Sequence, residues 1–304
     1  MRILVSGATG LIGSSLVPYL ENEGHHVTAL VRSGDGGVIW DPSTGVKDPA
    51  AVEGCDVVVH LAGESIAAGR WSPERKKRIR ESRVTGTRSL VASLGSLAKP
   101  PHVLVCASAI GYYGDRGDEF LDEESSSGRG FLPEVCVAWE KAAAAAARIG
   151  VRVVSLRFGV ILSARGGALA KMLLPFRLGL GGRVGSGRQY MSWVPMDDVV
   201  RIVDHVLRRD EISGPVNCVA PGPVTNAKFT SALARALSRP AIFPLPAFAA
   251  RLAFGEMADE LLLSSARVVP RRLEESGYRF LHSDLPGALR DVLRAGRSPG
   301  RTAA

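Results

Sequence analysis

Gly7, Gly10 and Gly13 follow the apolar run Ile3-Leu4-Val5 and precede a helical apolar pattern at Leu11, Ile12, Leu16, Val17 and Leu20. A strand that ends in a glycine turn and flows into a helix aims unpaired amides, and the positive end of a helix dipole, at the loop between them. Such a loop suits a diphosphate. Each glycine answers a separate demand: one permits the tight turn, one lets backbone approach the ligand, and one lets helix pack on strand. The spacing therefore predicts a dinucleotide cradle whose contacts are Gly7, Thr9, Gly10, Leu11, Ile12 and Gly13. An empty structural turn is the competing reading, because glycine is common in this chain, at 34 of 304 residues.

Which dinucleotide is read from the next strand, His26 to Val31, and the residue that follows it. An acid about 20 residues past the glycines would hold a ribose 2′-hydroxyl, whereas an arginine favours a 2′-phosphate. Arg32 stands there, and its planar fork matches phosphate geometry. A carboxylate in its place would repel the phosphate by roughly 1 to 4 kcal/mol at contact. The expected ligand is NADP(H); a solvated strand-end arginine, with Asp35 close by, is the alternative.

The elements that must position these residues alternate through the first half of the chain. Strand patterns at Arg2 to Ser6, His26 to Val31, Asp56 to Leu61, His102 to Ser108 and Val151 to Arg157 are separated by helical patterns at Leu11 to Glu23, Glu74 to Leu97 and Phe131 to Ile149. Such alternation means βαβ units and a parallel sheet buried on both faces. The fold class expected is α/β, a Rossmann-type doubly wound parallel sheet with a smaller mixed C-terminal substrate-binding region. Residues 1–160 would form the cofactor domain, with elements near 197–220 returning to it, and 161–300 the substrate region. Glycine clusters at Gly166-Gly167 and from Gly179 to Gly187 mark loops, and a helix begins near Asp197. Arg183, Arg188, Gln189 and Trp193 in this stretch could meet a phosphate or a ring, or simply line a solvated loop. The end, Gly296 to Ala304, reads as a frayed tail.

Composition narrows the classes. At 46% hydrophobic residues the chain can bury a sizeable core. Cys55, Cys106, Cys136 and Cys218 lie far apart, without a CxxC pair or a histidine at ligand spacing, so neither a disulfide framework nor a metal is expected. His60, ending the strand Val57-Val58-Val59, reads as a strand-end residue. A net charge of +8 with only 6% aromatic residues fits anionic small molecules better than nucleic acid. The basic stretch Arg70 to Arg88 reads mostly as the wet face of a helix. Neither a secretory signal nor an apolar run long enough to span a bilayer is visible. The expectation is a cytoplasmic protein with a small-molecule substrate and no nucleic-acid or membrane partner.

GATGLIG at the start, DVVVHLAG at Asp56 to Gly63, SRVTGTRSL at Ser82 to Leu90 and SAIGYYGD at Ser108 to Asp115 resemble the extended short-chain dehydrogenase/reductases, the class of the nucleotide-sugar epimerases. GESI at Gly63 to Ile66, the glycine-rich stretch Met172 to Gly187 and PRRLEESGYRF at Pro270 to Phe280 resemble an atypical, epimerase-like branch. The resemblance covers nearly the whole chain. It implies that Leu61, Ala62 and Gly63 run under an NADP(H) cofactor and that Arg157 to Val160 lie near its nicotinamide end. The small residues of Leu61-Ala62-Gly63 independently allow a ligand to approach backbone. It also implies a possible homodimer through the helices Glu74 to Leu97 and Phe131 to Ile149, although alanines Ala142 to Ala147 pack equally well inside one subunit.

Arg83 breaks a helical pattern. At about 100° per residue, Ile79, Leu90, Leu94 and Leu97 fall within about 60° of one another, and Arg83 falls inside that arc. A guanidinium on a packed face needs a partner, so a cofactor phosphate or a buried carboxylate is implied, unless its stem packs while its head snorkels.

The family's tyrosine and lysine, spaced YxxxK, are missing. One register puts Cys136 and Glu140 at the two positions; the other puts Val137 opposite Lys141. Ala109 falls in the serine slot, with Ser108 one residue off. Ser108, Tyr112 and Tyr113 remain as proton donors, and Cys136 reads as a small buried residue. No catalytic residue is assigned. Two functions stand: an NADP(H)-dependent oxidoreductase or epimerase-like enzyme acting on a small anionic compound, or a catalytically silent NADP(H)-binding regulator.

Overall fold

The computed structural model describes residues 1–296; apart from Gly296, the tail read from the sequence lies outside the described residues. In chain order the strands and helices are β1 (Arg2–Ser6), α1 (Gly13–Asn22), β2 (His26–Val31), β3 (Val38–Asp41), β4 (Gly45–Val46), β5 (Val57–His60), α2 (Pro73–Gly95), β6 (Val103–Ala109), β7 (Phe120–Leu121), α3 (Phe131–Ala144), β8 (Arg152–Phe158) and β9 (Val160–Leu162). They continue with α4 (Gly167–Arg177), β10 (Tyr190–Met191), β11 (Trp193–Pro195), α5 (Met196–Leu207), β12 (Gly214–Cys218), β13 (Val224–Thr225), α6 (Asn226–Leu237), α7 (Ala247–Phe254), β14 (Arg267–Val268), α8 (Arg271–Glu275) and α9 (Leu285–Ala295). The chain divides into two compact units. The first comprises Met1–Tyr112, Arg129–Arg157 and Val200–Val216; the second comprises Tyr113–Gly128, Phe158–Val199 and, among the described residues, 217–296.

The first unit is built on an eight-stranded sheet in the order β12-β8-β6-β5-β1-β2-β3-β4. The strands from β3 to β6 pair in parallel, in register Ile3 with Val27 and Val57; only the hairpin β3-β4 is seen to run antiparallel. Chain order reverses between β1 and β5, the crevice where ligands bind in doubly wound sheets. Val57, Val58, Val59, Leu104 and Val105 are fully buried, as strands covered on both faces require. Ser72 caps α2 by accepting the Arg75 amide at 3.2 Å, with Pro73 in the first turn. α2 packs on α3, and Ala142, Ala143 and Ala146 are buried within the unit. The helix read as continuous to Ile149 tightens to 3₁₀ geometry over Ala145–Ile149 and stops at Gly150, whose φ of 78° is left-handed.

The second unit packs α4, α6 and α9 around Trp193, Phe229, Leu233 and Leu289. Short pairs β9/β11, β10/β13 and β7/β14 tie its loops together. PRRLEESGYRF anchors here: the Tyr278 hydroxyl donates to the buried Asp198 carboxylate at 2.8 Å, which also accepts the Leu281 amide at 3.0 Å.

Candidate functional site

The glycine loop follows β1, and each glycine is explained by backbone distances. Gly7 has φ of 72°, and a Cβ there would lie 2.9 Å from the Ala62 nitrogen. At Gly13 a Cβ would lie 2.2 Å from the Gly7 oxygen, so α1 can begin this close to the loop only without a side chain. Gly10 donates its amide to Gly7 O at 2.9 Å and takes the Ser14 amide on its own oxygen at 2.9 Å. The amides of Leu11, Ile12 and Gly13 have no acceptor among the described residues, and Thr9 and Gly10 are exposed. Three open donors at a helix start make an anion nest.

The floor of this loop is polar and closed. Ser6 Oγ accepts the amides of Leu61 and Ala62 at 3.2 and 3.3 Å and lies 2.6 Å from His60 Nδ1. With two amides already donating to it, the hydroxyl is placed to donate to His60 Nδ1, while His60 Nε2 is buried with no hydrogen-bond partner among the described residues. Burial pushes the His60 pKa down to about 4, and the ring meets Trp40 edge-on at 5.6 Å. His60 is therefore a structural support under Leu61 and Ala62.

Arg83 sits beside this floor. Its guanidinium carbon lies where a Cβ on Gly63 would be 3.4 Å away, and 5.1 Å from the Trp139 ring centroid. Within the protein its partners are carbonyls and not a carboxylate: Nη1 donates to Glu64 O and Ile79 O at 3.0 and 3.1 Å. Nε and Nη2 have no hydrogen bond among the described residues. The GESI and SRVTGTR motifs thus lock together, since Ser82 Oγ also accepts the Glu64 amide at 3.0 Å. Within the basic stretch, Arg75 turns inward like Arg83, donating to the Ser65 carbonyl at 2.8 Å. Arg32 is exposed just beyond β2, with no hydrogen bond or ion pair among the described residues.

Glu140, at the lysine position in one of the two registers, belongs to a closed cluster. Glu140 of α3 takes two bonds from Arg157 of β8, Nε to Oε1 and Nη2 to Oε2, both at 2.8 Å. Ser108 of β6 donates to the same Oε1 at 2.6 Å. Arg157 also stacks on Tyr112, 3.5 Å from the ring centroid. Its side chain is 3% exposed and that of Glu140 15%, so this is a buried fork-on-fork pair. Cys136 is buried, and its thiol is pushed up to about 12, first by burial and then by Glu140. It supplies neither an acid nor a nucleophile at neutral pH. A sequence signal for the cluster exists in hindsight: Arg157 interrupts an apolar strand buried on both faces, and such a residue demands a carboxylate.

Other residues read as site candidates lie in the second unit. Val160 is half-buried on β9, paired with Trp193 and donating its amide to Ser192 O at 2.8 Å. Trp193 and Gln189 are buried and structural: the indole donates to Gly222 O at 2.8 Å, and the Gln189 amide to Val184 O and Leu262 O. Neither can meet a ligand without leaving its core. Tyr113 is buried as well, its hydroxyl shared between Asn217 Oδ1 at 2.7 Å and Asp122 O at 2.9 Å. Arg183 and Arg188 are exposed. Among the described residues, no group of three or more His, Cys, Asp or Glu is placed to hold a metal, and no helix is long and apolar enough to cross a membrane.

The parallel sheet, its reversed chain order and the glycine loop define a nucleotide-binding α/β protein, and the family model for the NAD dependent epimerase/dehydratase family matches residues 3–218. The chain belongs to that family. Residues 245–292 match a second model, described as a domain of unknown function. An epimerase family protein of Mycobacterium tuberculosis is 44% identical over 290 residues, covering 94% of this chain and 96% of its own length. The human epimerase family protein SDR39U1 is 37% identical over 300 residues, covering 96% of this chain and all of its own. The crystal structure of human SDR39U1 (isoform 2) with NADPH superimposes at a TM-score of 0.88, covering 97% of this chain and 99% of that one.

Proposed function

We propose that this protein binds NADP(H) at the glycine loop and acts as an epimerase-like oxidoreductase on a small anionic compound. The observation that carries it is the trio of open amides at Leu11, Ile12 and Gly13, in a loop where Gly7 and Gly13 leave no room for side chains. These amides would hold the diphosphate, with Leu61, Ala62 and Gly63 as the adjoining wall and the open nitrogens of Arg83 as a further anion contact. Arg32 would choose the 2′-phosphate, and Val160 remains proposed at the nicotinamide end. The NADPH in the structure of human SDR39U1 supports this choice of carrier.

The bound carrier would supply hydride chemistry. The chain itself must move a proton. Ser108, 3% exposed, would have to be reached by a substrate hydroxyl to relay its proton to Glu140, with Arg157 holding that carboxylate in place. A second reading is favoured by the same cluster: with tyrosine and lysine replaced and Glu140 already saturated, the protein would sense NADP(H) occupancy and regulate a partner. The cytoplasm remains the proposed compartment.

Calorimetry with NADPH and NADH tests the reading. NADPH should bind more tightly, and Arg32→Asp should remove most of that preference, a loss of about 1 to 3 kcal/mol for a charge-assisted contact. No heat with either nucleotide overturns both readings. Binding without oxidation across a panel of anionic carbonyl compounds favours the regulator.

A further inference from the structure

The second unit carries a surface that is apolar and cationic at once. Eight of the twelve large apolar side chains left exposed among the described residues lie in the stretches 174–180 and 242–254. On α4, Leu169, Leu173 and Phe176 turn into the core, while Leu174 and Leu178 face outward, each about two-thirds exposed. α7 buries Ala250 and leaves Phe248 and Leu252, one turn apart, at 73% and 76% exposure. The two stretches are joined through backbone: the Phe243 amide donates to Gly181 O at 3.1 Å, and the Leu245 amide to Arg183 O at 2.8 Å. An exposed patch of this kind marks an interaction site.

Its charge says what it meets. Residues 158–196 and 217–255 contain nine lysines and arginines and no aspartate or glutamate. Arg235 and Arg239 line a shallow hollow with Ser231 and Ser238, and Arg239 Nε also reaches the Arg177 carbonyl at 3.1 Å. Arg177, Arg183 and Arg235 have no acidic partner among the described residues, whereas Arg251 is paired with Asp259 at 2.9 Å.

We propose that this face docks on an anionic lipid surface. The outer residues of α4 and α7 enter the headgroup boundary while the surrounding arginines meet lipid phosphates. A second copy of the chain is the weaker occupant, because a two-fold contact would set the unpaired Arg177, Arg183 and Arg235 against their own copies. Docking of this kind needs no spanning helix, so the lack of an apolar run in the sequence does not bear on it.

Flotation of the full chain with vesicles tests the proposal, using equal parts phosphatidylcholine and phosphatidylglycerol beside phosphatidylcholine alone. The protein should float with the anionic vesicles only, and less as salt is raised. Phe248→Ser combined with Leu252→Ser should weaken partition by about tenfold or more. Arg235→Gln combined with Arg239→Gln should weaken it by about fivefold per charge. These positions are exposed, and an unchanged melting temperature shows that the variants fold. No flotation at low salt overturns the proposal, as does equal flotation of the Phe248/Leu252 variant. A wild-type particle of twice the mass that these substitutions dissociate would also overturn it, assigning the face to a second copy.

Discussion

Two regions of the first unit treat their polar groups in opposite ways. At the glycine loop, three consecutive amides are left open and the side chains that would crowd them are absent. At Ser108, Glu140 and Arg157, every group is answered by another, and the carboxylate carries three bonds from within the chain. Open donors suit a ligand; a saturated cluster suits the fold. The two regions share no residue, so the nucleotide binding proposed at the loop does not depend on the cluster around Glu140.

The largest expected effect is on the closed side. Arg157→Ala strands Glu140 with one hydroxyl for company, and should lower the free energy of unfolding by about 3 to 5 kcal/mol, read by urea denaturation. A loss below about 1 kcal/mol would mean that the pair behaves like a surface ion pair, and the contrast would fail.

Next comes the floor beneath the open side. His60 has a pKa of about 4 when folded and about 6.5 when unfolded. Between those values the unfolded chain binds more protons, so this contribution is fully present above pH 6.5 and is lost as pH falls toward 4. The loss is roughly 3 kcal/mol, from about 1.4 kcal/mol per unit. His60→Gln should flatten that part of the stability profile; an unchanged slope would assign it to other groups.

Smallest in stability, but aimed at binding, is Gly13→Ala. The added carbon would lie 2.2 Å from the Gly7 oxygen, which should destabilise the protein by about 1 to 3 kcal/mol and weaken NADPH by about tenfold or more as the amides move. Wild-type affinity in this variant would show that the loop is not shaped for a ligand.

The open region was readable because its demands are local. Glycine at a left-handed or crowded position has no substitute, and β1 and β2 fall at the residues their apolar patterns mark. Arg83 was half readable: periodicity placed it on the packed face, but its partners lie on the segment after β5, which no local pattern reports. The closed cluster was the least readable. Ser108, Glu140 and Arg157 come from a strand, a helix and the next strand, and only the folded sheet edge brings them together. Gln189 and Trp193 misled for a related reason, since polar and aromatic residues near glycine-rich turns look solvent-facing until the turns fold over them.

Burial of all four cysteines, with the Cys106 and Cys136 thiols pushed up to about 12, has a practical side. Thiolate forms in quantity only when a segment opens to water. An alkylating dye added to the native protein would therefore clock the breathing of β6, α3 and β12, giving each layer its own timekeeper without any engineered cysteine.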